Sequence, residues 1–137
     1  MAELKIGEKL SANLEITPKY TVPFNADKFP AFGDMPAVFA TAMMVGFIEE
    51  TAIKLLMPFY ENGQQSVGTL VNFTHLAATP IGLNVRAEVE VTAIEKRKIT
   101  FAVKCYDDFD LIGEGVHERA LIDETRFMEK LATKVPK

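Results

Sequence analysis

The chain has 137 residues and a formal net charge of −4, with 48% hydrophobic and 25% charged residues. This length predicts a single domain, residues 1–137, that buries its own core, and the composition is ordinary for a soluble globular protein. The negative charge argues against a general nucleic-acid binder, which would show a clustered basic surface. The lone Cys105 excludes an intrachain disulfide, and with only two histidines we expect no metal site.

The beginning of the chain, MAELKIGEKLSANLEI, is amphipathic and lacks the long apolar core of a signal peptide. The uncharged stretches elsewhere are shorter than the roughly 20 residues that a membrane helix needs. We therefore expect a cytoplasmic protein without a membrane partner.

The first half of the chain predicts a strand, a loop and one long helix. Residues 12–22 resemble a strand with an irregularity marked by proline, and residues 23–36 predict an irregular loop that could act as a lid. Pro36 is suited to open a helix because the first helical position needs no backbone donor. Residues 37–57 are apolar on nearly all sides at helical spacing, which predicts a buried helix.

The second half of the chain predicts consecutive strands. Their expected ranges are 66–78, 83–94, 99–106 and 111–123, with a charged turn at 95–98 and a short helix at 124–134. Short turns between consecutive strands favour an antiparallel sheet with the helix packed on one face. The predicted class is α+β, a hotdog fold in which one curved sheet wraps a long central helix. One such sheet covers the helix poorly, so we expect a two-fold homodimer.

Three reactive side chains lie in the most apolar stretches of the chain. Glu49 follows the uncharged run from Met35 to Ile48 and falls on the same side of the helix as its apolar neighbours. His75 is the only acid or base in SVGTLVNFTHLAAT. Ionisable groups resist burial unless they are paired or used. Together with Thr41, they could support hydrolysis of an activated acyl group.

Three segments of the sequence, taken together, are specific. They are F-A-T followed by V-G-x-x-E on the helix, T-H-x-A-A-T-P on the next strand, and G-x-H-E-R-A near the end. In this combination the chain resembles the fluoroacetyl-CoA thioesterase family of hotdog enzymes, from roughly Gly7 to Glu124. The resemblance implies an acyl-CoA thioesterase whose catalytic set matches Thr41, Glu49 and His75. It implies an acyl-CoA substrate and no metal or organic cofactor.

The same resemblance implies residues that bind the substrate. Gly68 matches a glycine near the start of the histidine strand, and Arg119 matches an arginine that helps to hold the ligand. Phe32 matches the first of two phenylalanines in a lid above the acyl pocket, but the second falls on Met35. Because methionine lacks the fixed shape of a ring, this departure concerns selectivity for fluoroacetyl and leaves thioester hydrolysis intact.

The residues leave several alternatives open. Glu49 could act as nucleophile or as general base. Thr41 precedes it by eight residues, about 12 Å along a helix, so the two could flank one substrate or meet across a dimer interface. A non-catalytic acyl-CoA or small-ligand binding dimer is the main rival function, and hydration of an enoyl thioester ranks last. We assign no catalytic role to His117, and we interpret Lys96, Arg97 and Lys98 as a charged turn.

Overall fold

The computed structural model describes residues 3–135. The strands and α-helices are β1 Lys9–Glu15, α1 Thr41–Leu56, β2 Gln64–Phe73, β3 Asn84–Glu95, β4 Lys98–Tyr106, β5 Leu111–Asp123 and α2 Glu124–Leu131. The strands pair in an antiparallel sheet of order β1-β3-β4-β5-β2. This confirms the predicted antiparallel sheet and long helix. Within the described part of the chain, no helix is long and apolar enough to cross a membrane.

The buried face of the central strand β3 follows from the alternation of apolar and polar side chains along it. In β3, Val85, Ala87 and Val89 are buried while Arg86 is exposed, because successive side chains of a strand point to opposite faces. The β3–β4 hairpin turns through Lys96 and Arg97, and Lys96 adopts a φ of 57°. A two-residue hairpin turn favours that left-handed conformation, so the predicted charged turn is confirmed.

One face of α1 packs on the concave side of the sheet. Its buried residues are Met44, Phe47, Ile48, Thr51, Ala52, Leu55 and Leu56. The opposite face is open in the single chain: Ala42 and Gly46 are exposed, and Val45 and Glu49 are half-buried. The prediction of a helix buried on all sides is therefore wrong for the single chain. Ala42 and Gly46 contribute to an apolar sequence pattern, but residues this small need not face the core.

The helix α1 begins at Thr41, not at residue 37 as the sequence predicts. Val38 and Phe39 form isolated β-bridges with Pro80 and Thr21, and the Phe39 N–H donates a hydrogen bond of 2.9 Å to the Thr79 carbonyl. Pairing with a neighbouring segment thus satisfies backbone groups that a helix would otherwise use. Pro36 consequently precedes an extended segment and does not open the helix.

Two predicted strand boundaries also differ from the structure. The first strand was expected at 12–22 but spans Lys9–Glu15 and is followed by a 3₁₀ turn at Pro18–Tyr20. Proline has no N–H to donate to a ladder, so regular pairing ends before it. The second strand was expected to reach residue 78 but ends at Phe73, which leaves His75 just beyond it.

Candidate active site

Thr41 and His75 form a pair at the beginning of α1. Thr41 is the first residue of the helix, where backbone N–H groups have no partner within the helix. Its hydroxyl oxygen lies 2.7 Å from His75 Nδ1. A hydroxyl can donate or accept, and so can a neutral imidazole, so this contact is compatible with either tautomer of His75. Two of the three predicted catalytic side chains thus meet within one chain.

The segment that carries His75 lies unusually close to β5. A side chain at Gly113 would place its Cβ 2.5 Å from the Thr74 carbonyl oxygen, and one at Gly115 would collide with the Asn72 carbonyl. Only glycine allows two backbones to approach so closely. The G-E-G sequence of β5 therefore permits the path of the chain that places His75 opposite the beginning of α1.

Burial disfavours the protonated form of the His75 imidazole. The ring is half-buried and makes an edge-on contact with Phe39 at a centroid distance of 6.4 Å. Desolvation lowers the pKa of His75 below its ordinary value of 6.5. Its Nε2 atom is buried and has no hydrogen-bond partner among residues 3–135. An imidazole with one nitrogen held by a hydroxyl and no protein partner at the other is suited to proton transfer once water or substrate reaches that second nitrogen.

Glu49 belongs to a second group of side chains. Its Oε2 atom accepts a hydrogen bond of 3.0 Å from Arg119 Nη1. The Glu49 side chain is 35% exposed, whereas that of Arg119 is only 4% exposed. The carboxylate thus lies on the open face of α1, with its charge compensated from inside the sheet. In one chain, the three predicted catalytic residues therefore divide between two pairs, Thr41–His75 and Glu49–Arg119, about 12 Å apart along the axis of α1.

Arg119 is held by several partners. Its Nε donates to Ser66 Oγ at 2.9 Å, and its Nη2 donates to the Ser66 carbonyl at 3.1 Å. Its Nη1 also lies 3.2 Å from Nε2 of the buried His117. The Ser66 hydroxyl is in turn 2.6 Å from the Tyr60 hydroxyl. A buried guanidinium with its donors satisfied in this way has a fixed orientation.

Gly68 lies directly against this second group. A Cβ added at Gly68 would lie 3.0 Å from Glu49 Oε2, 3.4 Å from Arg119 Nη1 and 3.5 Å from His117 Cε1. The register of β2 against β5 also shifts between Gly68 and Leu70, which is the signature of a β-bulge. The missing side chain therefore leaves room for the Glu49 carboxylate at the bulge.

The two predicted lid residues lie on the segment 23–36, which contains short 3₁₀ turns at Pro23–Asn25 and Pro30–Asp34. Phe32 packs against Phe29 with ring centroids 5.3 Å apart. The Met35 side chain belongs to the exposed large hydrophobic residues, at 48%. The segment thus presents apolar side chains on a largely irregular backbone, close in sequence to the start of α1.

Sequence reasoning did not single out Ser66, Tyr60 or the contact of His117 with Arg119. The shared face of His117 and Arg119 is visible in the sequence as an i, i+2 pair on a strand. No comparable signal points to Ser66. No group of three or more His, Cys, Asp or Glu residues that could hold a metal ion occurs between residues 3 and 135.

The antiparallel sheet with the long helix α1 packed on it defines a protein of the hotdog class. A solved hot-dog-like protein from Thermanaerovibrio acidaminovorans superposes with a TM-score of 0.82 at 19% identity, covering 96% of this chain and 93% of that one. At this identity the likeness concerns the fold. The predicted hotdog architecture is confirmed.

Closer relatives identify the family. Residues 16–125 match the family described as fluoroacetyl-CoA-specific thioesterase. The fluoroacetyl-CoA thioesterase of Streptantibioticus cattleyicolor is 37% identical over 133 residues, 97% of this chain and 96% of that protein. A solved structure of the fluoroacetyl-CoA thioesterase FlK superposes with a TM-score of 0.94 at 36% identity, covering 98% of this chain and 100% of that one. The chain belongs to the fluoroacetyl-CoA-specific thioesterase family.

Proposed function

We propose that this protein hydrolyses the thioester bond of a short or activated acyl-CoA to give the free acid and CoA. Acyl-CoA thioester hydrolysis is the activity of the family to which the chain belongs. The observation that carries the proposal is the Thr41–His75 pair at an open helix N-terminus, on the same helix as the half-exposed Glu49. The proposal needs no metal or organic cofactor, and the cytoplasmic location stays a prediction from the sequence.

The proposed roles follow from the chemistry of each group. Glu49 supplies the negative charge that either deprotonates water or attacks the thioester carbonyl itself. His75 carries the proton between water, intermediate and products, and Thr41 orients its ring through Nδ1. The N-terminus of α1 offers backbone N–H groups and a positive dipole to the oxyanion that develops on the carbonyl oxygen. The thiolate of CoA leaves with little help from an acid.

Arg119 and Gly68 would act at the acyl end of the substrate. Arg119 is almost fully buried and its donors already serve Ser66, His117 and Glu49. This arrangement supports contact with a small acyl group near the carboxylate rather than with the phosphates of CoA. The acyl group could also approach the backbone of Gly68 closely, because Gly68 has no side chain beside the Glu49 carboxylate.

We also propose that a homodimer completes the site. Ala42 and Gly46 leave a face of α1 free of bulk, and β2 is an edge strand with Leu70 and Val71 exposed. If two copies of α1 pack antiparallel about a two-fold axis near Val45, Thr41 of one chain lies opposite Glu49 of the other. This packing would remove the separation of about 12 Å that one chain imposes.

Complementation between two strongly impaired variants tests the shared site, and His75→Gln is used because His75 is paired with Thr41 in the same chain. His75→Gln and Glu49→Gln chains are mixed, unfolded and refolded so that the subunits reassort. Half of the dimers are then mixed, and each contains one site with both residues intact if the site is shared. We expect about one quarter of the wild-type rate. Activity no higher than the mean of the two variants would show that each site lies within one chain.

A panel of acyl-CoAs tests the reaction and the role of Glu49. Thiol release is measured with fluoroacetyl-, acetyl-, propionyl-, butyryl- and benzoyl-CoA. We expect one or two small acyl groups to dominate, and Glu49→Gln to lower kcat about 10²- to 10⁴-fold. Glu50→Gln is the matched control, because Glu50 is exposed and pairs with Lys54. Binding without turnover by the wild type would favour the non-catalytic acyl-CoA binding dimer.

A further inference from the structure

His117 is fully buried in the sheet beneath the candidate active site. It lies on β5 and is 0% exposed. Its ring stacks on Phe101 at a centroid distance of 6.1 Å and meets Phe73 edge-on at 6.0 Å. Two aromatic neighbours therefore fix the plane of the imidazole, and only its two nitrogens are left for hydrogen bonding.

The partners of these nitrogens define one tautomer. Nδ1 lies 2.8 Å from the Leu70 carbonyl oxygen, and a carbonyl only accepts, so Nδ1 carries the hydrogen. Nε2 lies 3.2 Å from Arg119 Nη1, and a guanidinium only donates, so Nε2 is the acceptor. Burial lowers the pKa of His117, and the neighbouring Arg119 charge acts in the same direction. The ring is a neutral acceptor toward Arg119.

This acceptor determines where Arg119 can point. Arg119 Nη1 has two hydrogens, and its two partners are Glu49 Oε2 at 3.0 Å and His117 Nε2 at 3.2 Å. Without the His117 acceptor, one N–H of a buried guanidinium would lose its partner, which is costly in a low-dielectric interior. The guanidinium would then turn to find another, and Glu49 would lose its donor.

His117 also holds the strand that carries Gly68. Its Nδ1–H bonds the Leu70 carbonyl directly after the bulge in β2. Its Cε1 lies 3.5 Å from the position that a Cβ at Gly68 would take. The His117 imidazole thus contacts both the Arg119 side chain and the β2 backbone, the two elements that surround the Glu49 carboxylate.

We propose that His117 is a positioning residue that orients Arg119, and through it the Glu49 carboxylate, by accepting a hydrogen bond at Nε2. The role rests on the proposed thioesterase function for its effect on rate, but the orientation of Arg119 does not depend on turnover. His117 touches no substrate in this scheme. Its contribution lies in holding Glu49 in one direction.

Three substitutions separate the two hydrogen bonds of His117. His117→Phe keeps the ring and removes both bonds; Gln can place a carbonyl oxygen near Nε2, and Asn can place an amide donor near Nδ1. We expect kcat to fall about tenfold or more in His117→Phe with KM little changed, most of the rate to return in His117→Gln, and little in His117→Asn. The control is Val89→Ala, which destabilises the core on β3, two strands away.

A kcat for His117→Phe within about twofold of the wild type would overturn the proposal. The proposal would also be overturned if Val89→Ala, destabilised to the same extent as His117→Phe, lost as much of its kcat. The second readout is NMR of the Arg119 guanidinium in each variant. Separate, slowly exchanging Nη signals in the wild type and His117→Gln, merged in His117→Phe, support the role even if no acyl-CoA is turned over. Signals that stay separate in His117→Phe would refute it, whatever the panel shows.

Discussion

The two ends of the candidate active site are held in very different ways. Thr41 and His75 meet through one hydrogen bond between the first residue of a helix and a residue just beyond a strand. At the other end, Glu49 is bonded to a buried guanidinium that is itself held by Ser66 and His117. The carboxylate end is therefore fixed by the sheet, whereas the histidine end depends on one hydrogen bond, the edge-on contact with Phe39 and the path of a short segment.

If Glu49 and His75 have the roles proposed above, this difference matches the demands of each role. A carboxylate that must approach a thioester carbonyl gains from a rigid position, because a misplacement of about 1 Å can cost about 10²-fold in rate. A proton carrier must serve water, the intermediate and the products in turn, so a ring with one free nitrogen is better suited to it. The single bond from Thr41 keeps the ring oriented without tying up Nε2.

The largest effect should come from removing the imidazole. His75→Gln is expected to lower kcat/KM about 10²- to 10⁴-fold, and Thr41→Val, which keeps the ring, should cost less. In the wild type, burial lowers the His75 pKa below 6.5, so the rate should be constant at neutral pH and fall only as the pH drops below that value. Stability should fall in the same range, because the unfolded chain binds the proton more readily.

Rate–pH profiles with an acyl-CoA whose acyl group does not ionise measure this fall in rate at low pH, and thermal unfolding over the same pH range measures the linked loss of stability. A fall in rate that begins well above pH 6.5, or one that persists unchanged in His75→Gln, would assign the titration to another group. Equal losses in His75→Gln and Thr41→Val would show that the hydroxyl matters as much as the ring.

At the rigid end, a substitution that only displaces the Glu49 carboxylate should have a smaller effect than Glu49→Gln, which removes its charge. Gly68→Ala places a methyl group 3.0 Å from Glu49 Oε2, closer than van der Waals contact allows, so the carboxylate must shift by a few tenths of an ångström. We expect kcat/KM to fall about tenfold with little change in stability. Thr69→Ala, at the neighbouring exposed position, is the control. An unchanged rate would show that the position of Glu49 is less critical than its network suggests.

The sequence predicted the parts of the molecule that depend on local pattern. Alternation in β3 gave the buried face correctly, and the isolation of Glu49 and His75 in apolar runs pointed to residues that the structure places in hydrogen-bonded pairs. It did not predict the start of α1 at Thr41, because pairing of residues 37–40 with a distant segment overrides local helical preference.

The partners of the candidate catalytic residues could not be predicted for the same reason. Arg119 meets Glu49 across 70 residues of sequence and Ser66 across 53, and no local pattern encodes such contacts. The close approach allowed by Gly113 and Gly115 is likewise a tertiary property. The apolar runs pointed to Thr41, Glu49 and His75, and the resemblance to a family added Gly68 and Arg119, but only the structure shows that they divide into two groups.

The smallest expected effect concerns the predicted lid, which belongs to neither end. The resemblance places a second lid phenylalanine where this chain has Met35, and the methionine is 48% exposed. A ring at this position would present a fixed apolar surface to the acyl group, whereas methionine adapts its shape. We therefore expect Met35→Phe to change the ratio of kcat/KM for fluoroacetyl-CoA to that for acetyl-CoA by about two- to tenfold, and Met35→Leu to leave it unchanged. The ratio is measured in competition in one reaction. An identical ratio in all three proteins would place acyl selectivity at the Gly68 and Arg119 end, where the contacts are already fixed.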